Sequence, residues 1–376
     1  MKKVTLKLIL LLMPVVILYA FPFVILFQSG ELLSVGDVID RQMNERRPVI
    51  YGASYSTRTF QVQFKLQQVI RRAPSVLVIG ASRVLQFRSA FFKNPSSFYN
   101  QGWGITGVED IQTLLEAIPK EKSPRILILG LEEFYFNPNY VKSGNFSLVE
   151  DGSGANVVAS QWWVVLRDYF KHEFSLAQLF RKDTSGISYI GMHAIVSHEG
   201  YRKDGSYCYD KVVRTNGRDI QFKSTLDEMA NEGPTFERGS HVSPTVLAAL
   251  DRLLQLCQQR NIHVVAFLPP YPHLIYSKLS SMRDKYGYMF EIASRCAPLF
   301  RKYGGSFYDF SDLLSVGASD HELVDGMHGS EKAYLRLFLL MQAQDPLLHA
   351  VAADEDYLNR RLNGAVGPYV VFGDDE

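Results

Sequence analysis

A serine and an Asp-x-x-His pair are the residues of this chain that could carry out chemistry together. Ser82 lies in the turn Gly80-Ala-Ser-Arg83, directly after the apolar run Val76–Ile79, and Asp325-Gly-Met-His328 lies much later in the chain. A serine hydroxyl is a weak nucleophile until a base removes its proton. His328 could accept that proton, and Asp325 could hold the imidazole in the required tautomer. Each signal alone is weak, because Asp-x-x-His occurs often by chance and Ser82 could simply cap a helix.

Short apolar strands alternate with helical patterns from residue 75 onward. Strands are predicted at 76–79, 97–100, 125–130, 263–268 and 306–310, and helices at 108–118, from 244, at 279–295 and at 331–341. This alternation predicts an α/β fold, a three-layer α/β/α sandwich with a mostly parallel sheet. Ligands bind at the carboxyl ends of parallel strands. We therefore expect Ser82, the turn Gly102-Trp-Gly-Ile-Thr-Gly107, the loop after Gly130 and the Asp325–His328 loop at one edge.

The N-terminus has the pattern of a membrane anchor. Residues 8–27 are apolar and long enough to cross a bilayer, and Lys2, Lys3 and Lys7 lie on one side of the span. The positive-inside rule then places the N-terminus in the cytoplasm and the rest of the chain outside it. We predict that residues 1–28 form one uncleaved transmembrane helix in the inner or plasma membrane, with a periplasmic or extracellular catalytic domain. A cleaved signal peptide is the competing interpretation.

The remaining sequence suggests one large domain with an insertion. Residues 29–74 are predicted as a connector, 75–346 as the α/β domain with an insertion at about 137–242, and 347–376 as a peripheral tail. The chain carries 40 basic and 39 acidic residues, and this balance argues against binding to nucleic acid. No metal or nucleotide motif is present, so no cofactor is expected. Cys208, Cys257 and Cys296 do not form a disulfide scaffold, although two of them could pair.

The order of these features resembles the SGNH hydrolase superfamily, whose fold is flavodoxin-like. Gly80-Ala-Ser82 matches the block that carries the nucleophile, although Ala81 replaces the usual Asp, and Asp325-Gly-Met-His328 matches the last block. The resemblance implies a catalytic triad of Ser82, His328 and Asp325.

The same resemblance implies an oxyanion hole. The segment Asn100-Gln-Gly-Trp-Gly-Ile-Thr-Gly107 resembles the glycine-rich block of the family. Gly107 is the best match for the glycine whose N–H group binds the oxyanion, together with the N–H group of Ser82, and Gly104 is the rival glycine. Backbone N–H groups placed in this way stabilise the charge that develops in acyl transfer.

One block departs from the family pattern. Gly130-Leu-Glu132-Glu133 stands where Gly-x-Asn-Asp is usual, so Glu132 occupies the position of the asparagine. An ionised Glu cannot donate a hydrogen bond to an oxyanion. Either Asn137 or Asn139 substitutes, or the hole has two donors, or Glu132 has another role. Glu132 and Asn137 are therefore candidate substrate contacts.

Gly-x-Ser-Arg after a single N-terminal span resembles membrane-anchored SGNH-like proteins of cell-envelope glycan acylation, such as the alginate acetylation proteins and the D-alanyl transfer protein of teichoic acid synthesis. The resemblance implies an O-acyltransferase or carbohydrate esterase with an acyl donor and a glycan acceptor, often beside a membrane-bound O-acyltransferase. Arg83 would then contact an anionic group of the substrate. A non-catalytic assembly or glycan-binding component is the alternative, and Glu132 favours it. Asp320-His321 is a competing candidate for the working dyad.

Overall fold

The computed structural model describes residues 13, 18–142, 146–148, 154–181, 186–215, 219 and 221–373. The chain divides into two compact units. The first unit holds residues 1–64, 149–203 and 208–210, and the second holds residues 65–148, 204–207 and 211–376.

The strands and helices follow one another in a mixed order. The strands are β1 Val49–Tyr51, β2 Val76–Ile79, β3 Phe98–Asn100, β4 Ile126–Gly130, β5 Ser188–Ile190, β6 Gly200–Tyr201, β7 Tyr207–Cys208, β8 His263–Leu268 and β9 Ser306–Asp309. The helices are α1 Val35–Asn44, α2 Arg58–Arg72, α3 Val108–Ala117, α4 Gly154–Phe170, α5 Leu176–Phe180, α6 Met192–Ser197, α7 Asp210–Arg214, α8 Lys223–Ala230, α9 Pro244–Gln259, α10 His273–Ser281, α11 Arg283–Lys302, α12 Glu331–Gln344, α13 Pro346–Val351 and α14 Glu355–Gly364.

The second unit is built on a five-stranded sheet with the order β3-β2-β4-β8-β9. All four pairings are parallel. Every residue of β2 and β4 is buried, as expected of parallel strands with both faces covered. The predicted α/β fold with a mostly parallel sheet is therefore confirmed, and the arrangement is consistent with a three-layer sandwich.

The first unit has a smaller sheet that the sequence did not predict, with the order β5-β1-β6-β7. The buried carboxylate of Glu31 connects its segments, because it accepts hydrogen bonds from the backbone N–H groups of Ser54, Tyr55 and Met192. Residues 29–64, predicted as a connector, thus fold together with part of the predicted insertion. The rest of that insertion, which is residues 137–148, 204–207 and those from 211, belongs to the second unit.

The predicted transmembrane span falls largely outside the described residues, since its residues 8–12 and 14–17 are among those not described. Residues 18–29 are helical. In the part of the chain that is described, no helix is both long and apolar enough to span a bilayer.

The tail from residue 347 is not peripheral. Its helices α13 and α14 belong to the second unit, and Leu358 and Phe372 are 0% and 1% exposed. The backbone N–H of Phe372 donates to the carboxylate of Glu331 at the start of α12. The prediction of a peripheral tail was wrong because the buried face of α14 is only two residues, Leu358 and Leu362, and no helical or strand pattern surrounds Phe372.

Two cysteines, Cys257 and Cys296, belong to the core of the second unit. Cys257 and Cys296 are buried free thiols, and burial raises the pKa of each to about 12. Both therefore serve as small apolar side chains of the core at neutral pH.

Candidate active site

Ser82 begins the three-residue 3-10 turn Ser82–Val84 at the carboxyl end of β2. The preceding glycine is needed for packing, because a Cβ at Gly80 would lie 2.6 Å from the side chain of Val84 and 3.1 Å from the carbonyl oxygen of Gly130. A small residue therefore allows the chain to turn sharply after the buried strand. This turn leaves the Ser82 side chain half-buried at the sheet edge, while its neighbours in the turn are fully buried.

The structure brings Ser82, His328 and Asp325 together. The Oγ of Ser82 lies 2.8 Å from Nε2 of His328, and Nδ1 of His328 lies 2.9 Å from both carboxylate oxygens of Asp325. The side chains of His328 and Asp325 are 25% and 15% exposed. This is hydrogen-bond reach for a nucleophile, a base and the group that orients the base.

The Asp325 carboxylate is also held by its own loop. Its Oδ1 accepts hydrogen bonds from the backbone N–H groups of Met327 and His328, at 2.9 and 2.7 Å. Burial opposes ionisation, but His328 and these hydrogen bonds outweigh burial and lower the pKa of Asp325 to about 2. The carboxylate is thus ionised over the whole neutral range and can orient the imidazole.

The loop that carries Asp325 and His328 is closed on itself. The N–H of Val324 donates to the carbonyl of His328, and the N–H of Ser330 donates to the carbonyl of Glu322. Ser330 then caps α12 by accepting from the N–H of Ala333. These bonds fix the distance between the loop and the helix that follows it.

A residue of the predicted insertion packs on this loop. Thr225 of α8 lies directly against Gly326, where a Cβ would collide with its side chain. Helix α8 belongs to the same compact unit as the sheet. This contact could not be predicted, because no local pattern around Thr225 indicates a partner about a hundred residues away.

The competing pair Asp320-His321 does not take part in this arrangement. The carboxylate of Asp320 accepts hydrogen bonds from the backbone N–H groups of His273 and Leu274, at the start of α10. His321 is exposed. The histidine beside Ser82 is therefore His328.

Two N–H groups of the glycine-rich turn form hydrogen bonds with neighbouring residues of the protein. The N–H of Gly102 donates to the side chain of Asn100, and the N–H of Trp103 donates to the carbonyls of Gly80 and Ala81. These bonds fasten the turn to the two residues that precede Ser82. Trp103 itself adopts a left-handed backbone, with a φ of 87°, which is rare for a bulky side chain.

The two predicted oxyanion glycines lie further along this turn. Gly104 has a φ of 83°, in the left-handed region that favours glycine. Gly107 is the N-cap residue of α3, and a Cβ there would lie 2.5 Å from the side chain of Lys142. Either N–H group remains a candidate donor to an oxyanion at Ser82.

Arg83 and Glu132, predicted as substrate contacts, are paired with each other instead. Nη1 of Arg83 donates to the carboxylates of Glu132 and Glu133 at 2.8 and 2.7 Å, and Nη2 donates to the carbonyl of Pro269 at 2.7 Å. Arg83 is 3% exposed, and both glutamates are 0% exposed. Their burial does not support a direct contact with substrate, and Glu133 is a member of the cluster that the sequence did not single out.

Asn137, the third predicted contact, also has a different environment. Its Nδ2 donates to the carbonyls of Glu237 and Arg238, and its Oδ1 accepts from the N–H of Asn139. The side chain is nearly buried and joins the loop after β4 to the segment before α9. These contacts make it a structural tie between the two segments.

Comparison with known proteins adds no relative: no family model, curated protein or solved structure matches the chain. Within the described residues, no group of three or more His, Cys, Asp or Glu side chains is placed to hold a metal ion. A functional proposal therefore depends on the geometry around Ser82 and on the resemblance of its motifs.

Proposed function

We propose that this chain is an SGNH-type serine acyltransferase or esterase that acts on a cell-envelope or extracellular polysaccharide. The observation that carries the proposal is the hydrogen-bonded series Ser82–His328–Asp325, in which successive polar atoms lie 2.8 and 2.9 Å apart. The motifs that supply these residues also occur in the SGNH order along the chain. The parallel sheet with its site at the carboxyl edge supports the same assignment.

The mechanism follows from the three side chains. Oγ of Ser82 attacks the carbonyl carbon of an acyl ester while Nε2 of His328 takes the hydroxyl proton, and Asp325 stabilises the imidazolium. The tetrahedral oxyanion accepts hydrogen bonds from the N–H of Ser82 and from Gly104 or Gly107. When the intermediate collapses, the donor alcohol leaves with the proton from His328, and the acyl group remains on Ser82.

The second half of the reaction regenerates the enzyme. A glycan hydroxyl, or water in an esterase, gives its proton to His328 and attacks the acyl-serine carbonyl. Collapse of this second intermediate returns the proton to Oγ of Ser82 and releases the acylated glycan or the free acid. The nature of the acceptor alone separates a transferase from a hydrolase.

The proposed location is the outer face of a membrane, with residues 1–28 as a single anchor. The helical residues 18–29 include large apolar side chains that are exposed, among them Tyr19 and Phe27 at 61% and 63%. Alkaline extraction of membranes should leave the intact protein in the pellet, and mass spectrometry should find residues before Phe27. A mature chain that begins after Phe27 would show a cleaved signal peptide instead.

The direct test of the proposal is covalent labelling of the purified protein with a serine-directed phosphonate. Mass spectrometry should locate the adduct on Ser82, labelling should be abolished in Ser82→Ala, and it should be strongly slowed in His328→Ala. Ser277→Ala is a matched control, because Ser277 also lies beside a histidine, with its Oγ 3.1 Å from Nε2 of His273. No adduct on Ser82 of the folded wild type, or equal labelling in His328→Ala, would contradict the proposal.

A non-catalytic role is the second candidate, and the placement of Glu132 favours it. The residue at the usual asparagine position is buried against Arg83, so it supplies no third donor to an oxyanion. In that case the protein would bind glycan or assemble a polysaccharide-modifying machine without acyl chemistry. Folded Ser82→Ala and His328→Ala variants that both keep full polysaccharide modification in cells would favour this role.

A further inference from the structure

Arg83 is the residue that ties the nucleophile turn to its neighbours. Its guanidinium reaches from the turn after β2 to Glu132 and Glu133 after β4, and to the carbonyl of Pro269 after β8. It also lies over the ring of Tyr271, 4.4 Å from the ring centroid. One side chain thus connects the carboxyl ends of three adjacent strands, and its backbone is bonded directly to Ser82.

Backbone contacts also hold the turn, because the N–H of Trp103 donates to the carbonyls of Gly80 and Ala81 and Nδ2 of Asn100 donates to the carbonyl of Val84. Ala81 at its N-cap position makes no capping hydrogen bond with its side chain. The local backbone bonds are long, at 3.4 Å from the N–H of Val84 to Ala81 and 3.2 Å from the N–H of Leu85 to Ser82. Arg83 adds to these bonds a charged link from the turn to the ends of β4 and β8, and this link restrains the position of Ser82.

The charges in this buried cluster do not balance if every group is ionised. One guanidinium faces two carboxyl groups, and all three side chains are at most 3% exposed. An uncompensated buried charge is expensive, so such groups usually bind a proton. Oε1 of Glu133 has no hydrogen-bond partner among the described residues, so it can carry that proton while Oε2 stays bonded to Arg83.

The side chains that surround Glu132 and Glu133 determine which groups of the cluster can titrate. Tyr271, Tyr288 on α11 and Tyr334 on α12 face the carboxyl groups, and burial, reinforced by the glutamates, raises the pKa of each hydroxyl well above its usual value. The carboxyl groups outweigh burial at Arg83 and hold the pKa of its guanidinium well above the usual range. Burial, with help from Glu132 and against the effect of Arg83, raises the pKa of Glu133 to about 7.

We propose that Arg83 is a positioning residue for Ser82, and that the Glu132–Glu133 pair carries one shared proton while the site is active. Loss of that proton leaves a net negative charge behind the nucleophile, where it disfavours the oxyanion of the tetrahedral intermediate. The catalytic part of this inference rests on the proposed function, whereas the shared proton does not.

Infrared spectroscopy tests the proton without any need for activity. In the Ser82→Ala protein, the difference spectrum between pH 6 and pH 8 should contain the carbonyl band of a protonated carboxylic acid. Glu132→Gln and Glu133→Gln should each remove this band, because the single remaining carboxylate then pairs with Arg83 in its ionised form. Glu31→Gln is the matched control, because burial also raises the pKa of Glu31, and it should leave the cluster band intact.

The same infrared spectra can also contradict the assignment of a proton to this pair of glutamates. A Ser82→Ala protein without this band, or a band that persists in both single glutamine variants, would overturn it. The double variant Glu132→Gln/Glu133→Gln leaves Arg83 buried without a carboxylate, so it should melt well below either single variant. Equal melting of the double and single variants would contradict the charge count.

The rate of phosphonate labelling at Ser82 and kcat on an ester substrate test the positioning role. Arg83→Lys and Arg83→Met should lower kcat by about 10- to 100-fold with KM changed little, since small displacements of a nucleophile cost rates of this order. Glu133→Gln should keep wild-type activity at pH 6 and lose the decline in kcat/KM that the wild type shows above about pH 7. A higher kcat in Arg83→Lys than in Arg83→Met would show that the positive charge at this position contributes to the positioning of Ser82.

Arg88→Lys serves as the matched buried control, since Arg88 donates to Glu331 and to the carbonyl of Gly373, away from the nucleophile turn. It should lower stability without changing kcat. Wild-type kcat in Arg83→Met, or an unchanged alkaline decline in Glu133→Gln, would overturn the positioning role. If wild-type Ser82 is not labelled at all, the proposed function fails, and the infrared result still decides the shared proton.

Discussion

At the scale of single residues, Asp325 fixes the orientation of the His328 imidazole, which is the base of the proposed mechanism. Both carboxylate oxygens lie 2.9 Å from Nδ1 of His328, so the imidazole presents Nε2 to Ser82 as an acceptor. An amide in place of Asp325 would stabilise the wrong tautomer. We expect Asp325→Asn to lower kcat by roughly 10³- to 10⁴-fold with an unchanged fold.

Steady-state kinetics on an ester substrate, together with circular dichroism, check this prediction. The low pKa of Asp325 also constrains how activity can depend on pH, because its carboxylate stays ionised down to about pH 2. Loss of activity between pH 7 and pH 5 must then come from another group. A folded Asp325→Asn variant with wild-type kcat would remove Asp325 from the mechanism.

Substitution of Asn137 should lower the free energy of unfolding without lowering kcat. Asn137→Ala removes the donor to the half-buried carbonyl of Glu237 and should lower the free energy of unfolding by roughly 1–3 kcal/mol. Asn139→Ala is the control, because its side chain is exposed, and it should stay within about 0.5 kcal/mol of wild type. Urea denaturation measures both. Lower kcat in Asn137→Ala at wild-type stability would instead restore it as an oxyanion donor.

Some residues of the candidate site could be predicted from the sequence, and others could not. Ser82, Asp325 and His328 were predictable because each lies in a short motif whose residue types suit acyl chemistry. The pairing of Arg83 with Glu132 was not, because a salt bridge between two strand ends leaves no mark on either local sequence. Both were expected to face substrate, and both are buried.

At the scale of elements, the turn after β2 is packed against β4 through one side chain. Val84 occupies the space beside Gly130, where a Cβ would collide with its Cγ1. Gly130→Ala should therefore destabilise the fold by about 1–3 kcal/mol through overpacking. Gly367→Ala, where nothing lies within 4 Å of the added carbon, is the control and should be nearly neutral.

A double-mutant cycle identifies the cause. Val84→Ala alone leaves a cavity, but it removes the carbon that obstructs Gly130→Ala. The double variant should be more stable than the sum of the two single effects by roughly 0.5–3 kcal/mol. Strict additivity in chemical denaturation would show that the two residues do not share this space.

Asp345 joins the amino-terminal edge of the sheet to the helix α13. Its buried Oδ2 lies 2.8 Å from Nε2 of His263 in β8 and accepts from the hydroxyl of Ser306 in β9, while Oδ1 accepts from the N–H groups of Leu347 and Leu348. Burial is outweighed by these hydrogen bonds, and the pKa of Asp345 falls from 3.8 to about 2. A lowered carboxyl pKa stabilises the fold above about pH 4, and this stability is lost as the pH falls toward 2.

Asp345→Asn keeps the capping acceptor but removes the charge. We expect the variant to lose about 1–2 kcal/mol of unfolding free energy at pH 6. The difference from wild type should shrink steadily from pH 4 to pH 2, as measured by chemical denaturation at each pH. A difference that stays constant over this range would assign the effect to packing alone.

Most strands and helices of the second unit were predicted closely because their signals are local, but the one helix predicted at 279–295 is two helices, His273–Ser281 and Arg283–Lys302. The predicted bounds of β2 and β8 agree with the structure, and Ser243-Pro244 marked the start of α9. The small sheet of the first unit was missed, because its strands are two or three residues long and pair residues that are far apart in sequence. Period-two patterns cannot be recognised over so few residues.

At the scale of the whole molecule, the described segment around Phe372 contributes to the core of the second unit. The ring of Phe372 lies 5.9 Å from that of Phe91 and is covered by the guanidinium of Arg361 at 4.8 Å. The sequence around Phe372 is rich in Gly and acidic residues and has no helical or strand period. The contribution of this segment to the core therefore arises only from the tertiary fold.

The C-terminal segment should be essential to stability although it lies far from Ser82 in sequence. Phe372→Ala removes a side chain that is 1% exposed and should cost roughly 3–5 kcal/mol of unfolding free energy. Val366→Ala, a few residues earlier and fully exposed, should change stability by less than about 0.5 kcal/mol. Because the nucleophile turn is held by Arg83 and not by the tail, folded Phe372→Ala should keep wild-type phosphonate labelling of Ser82 at low temperature. Loss of labelling before loss of structure would show that the tail also positions the site.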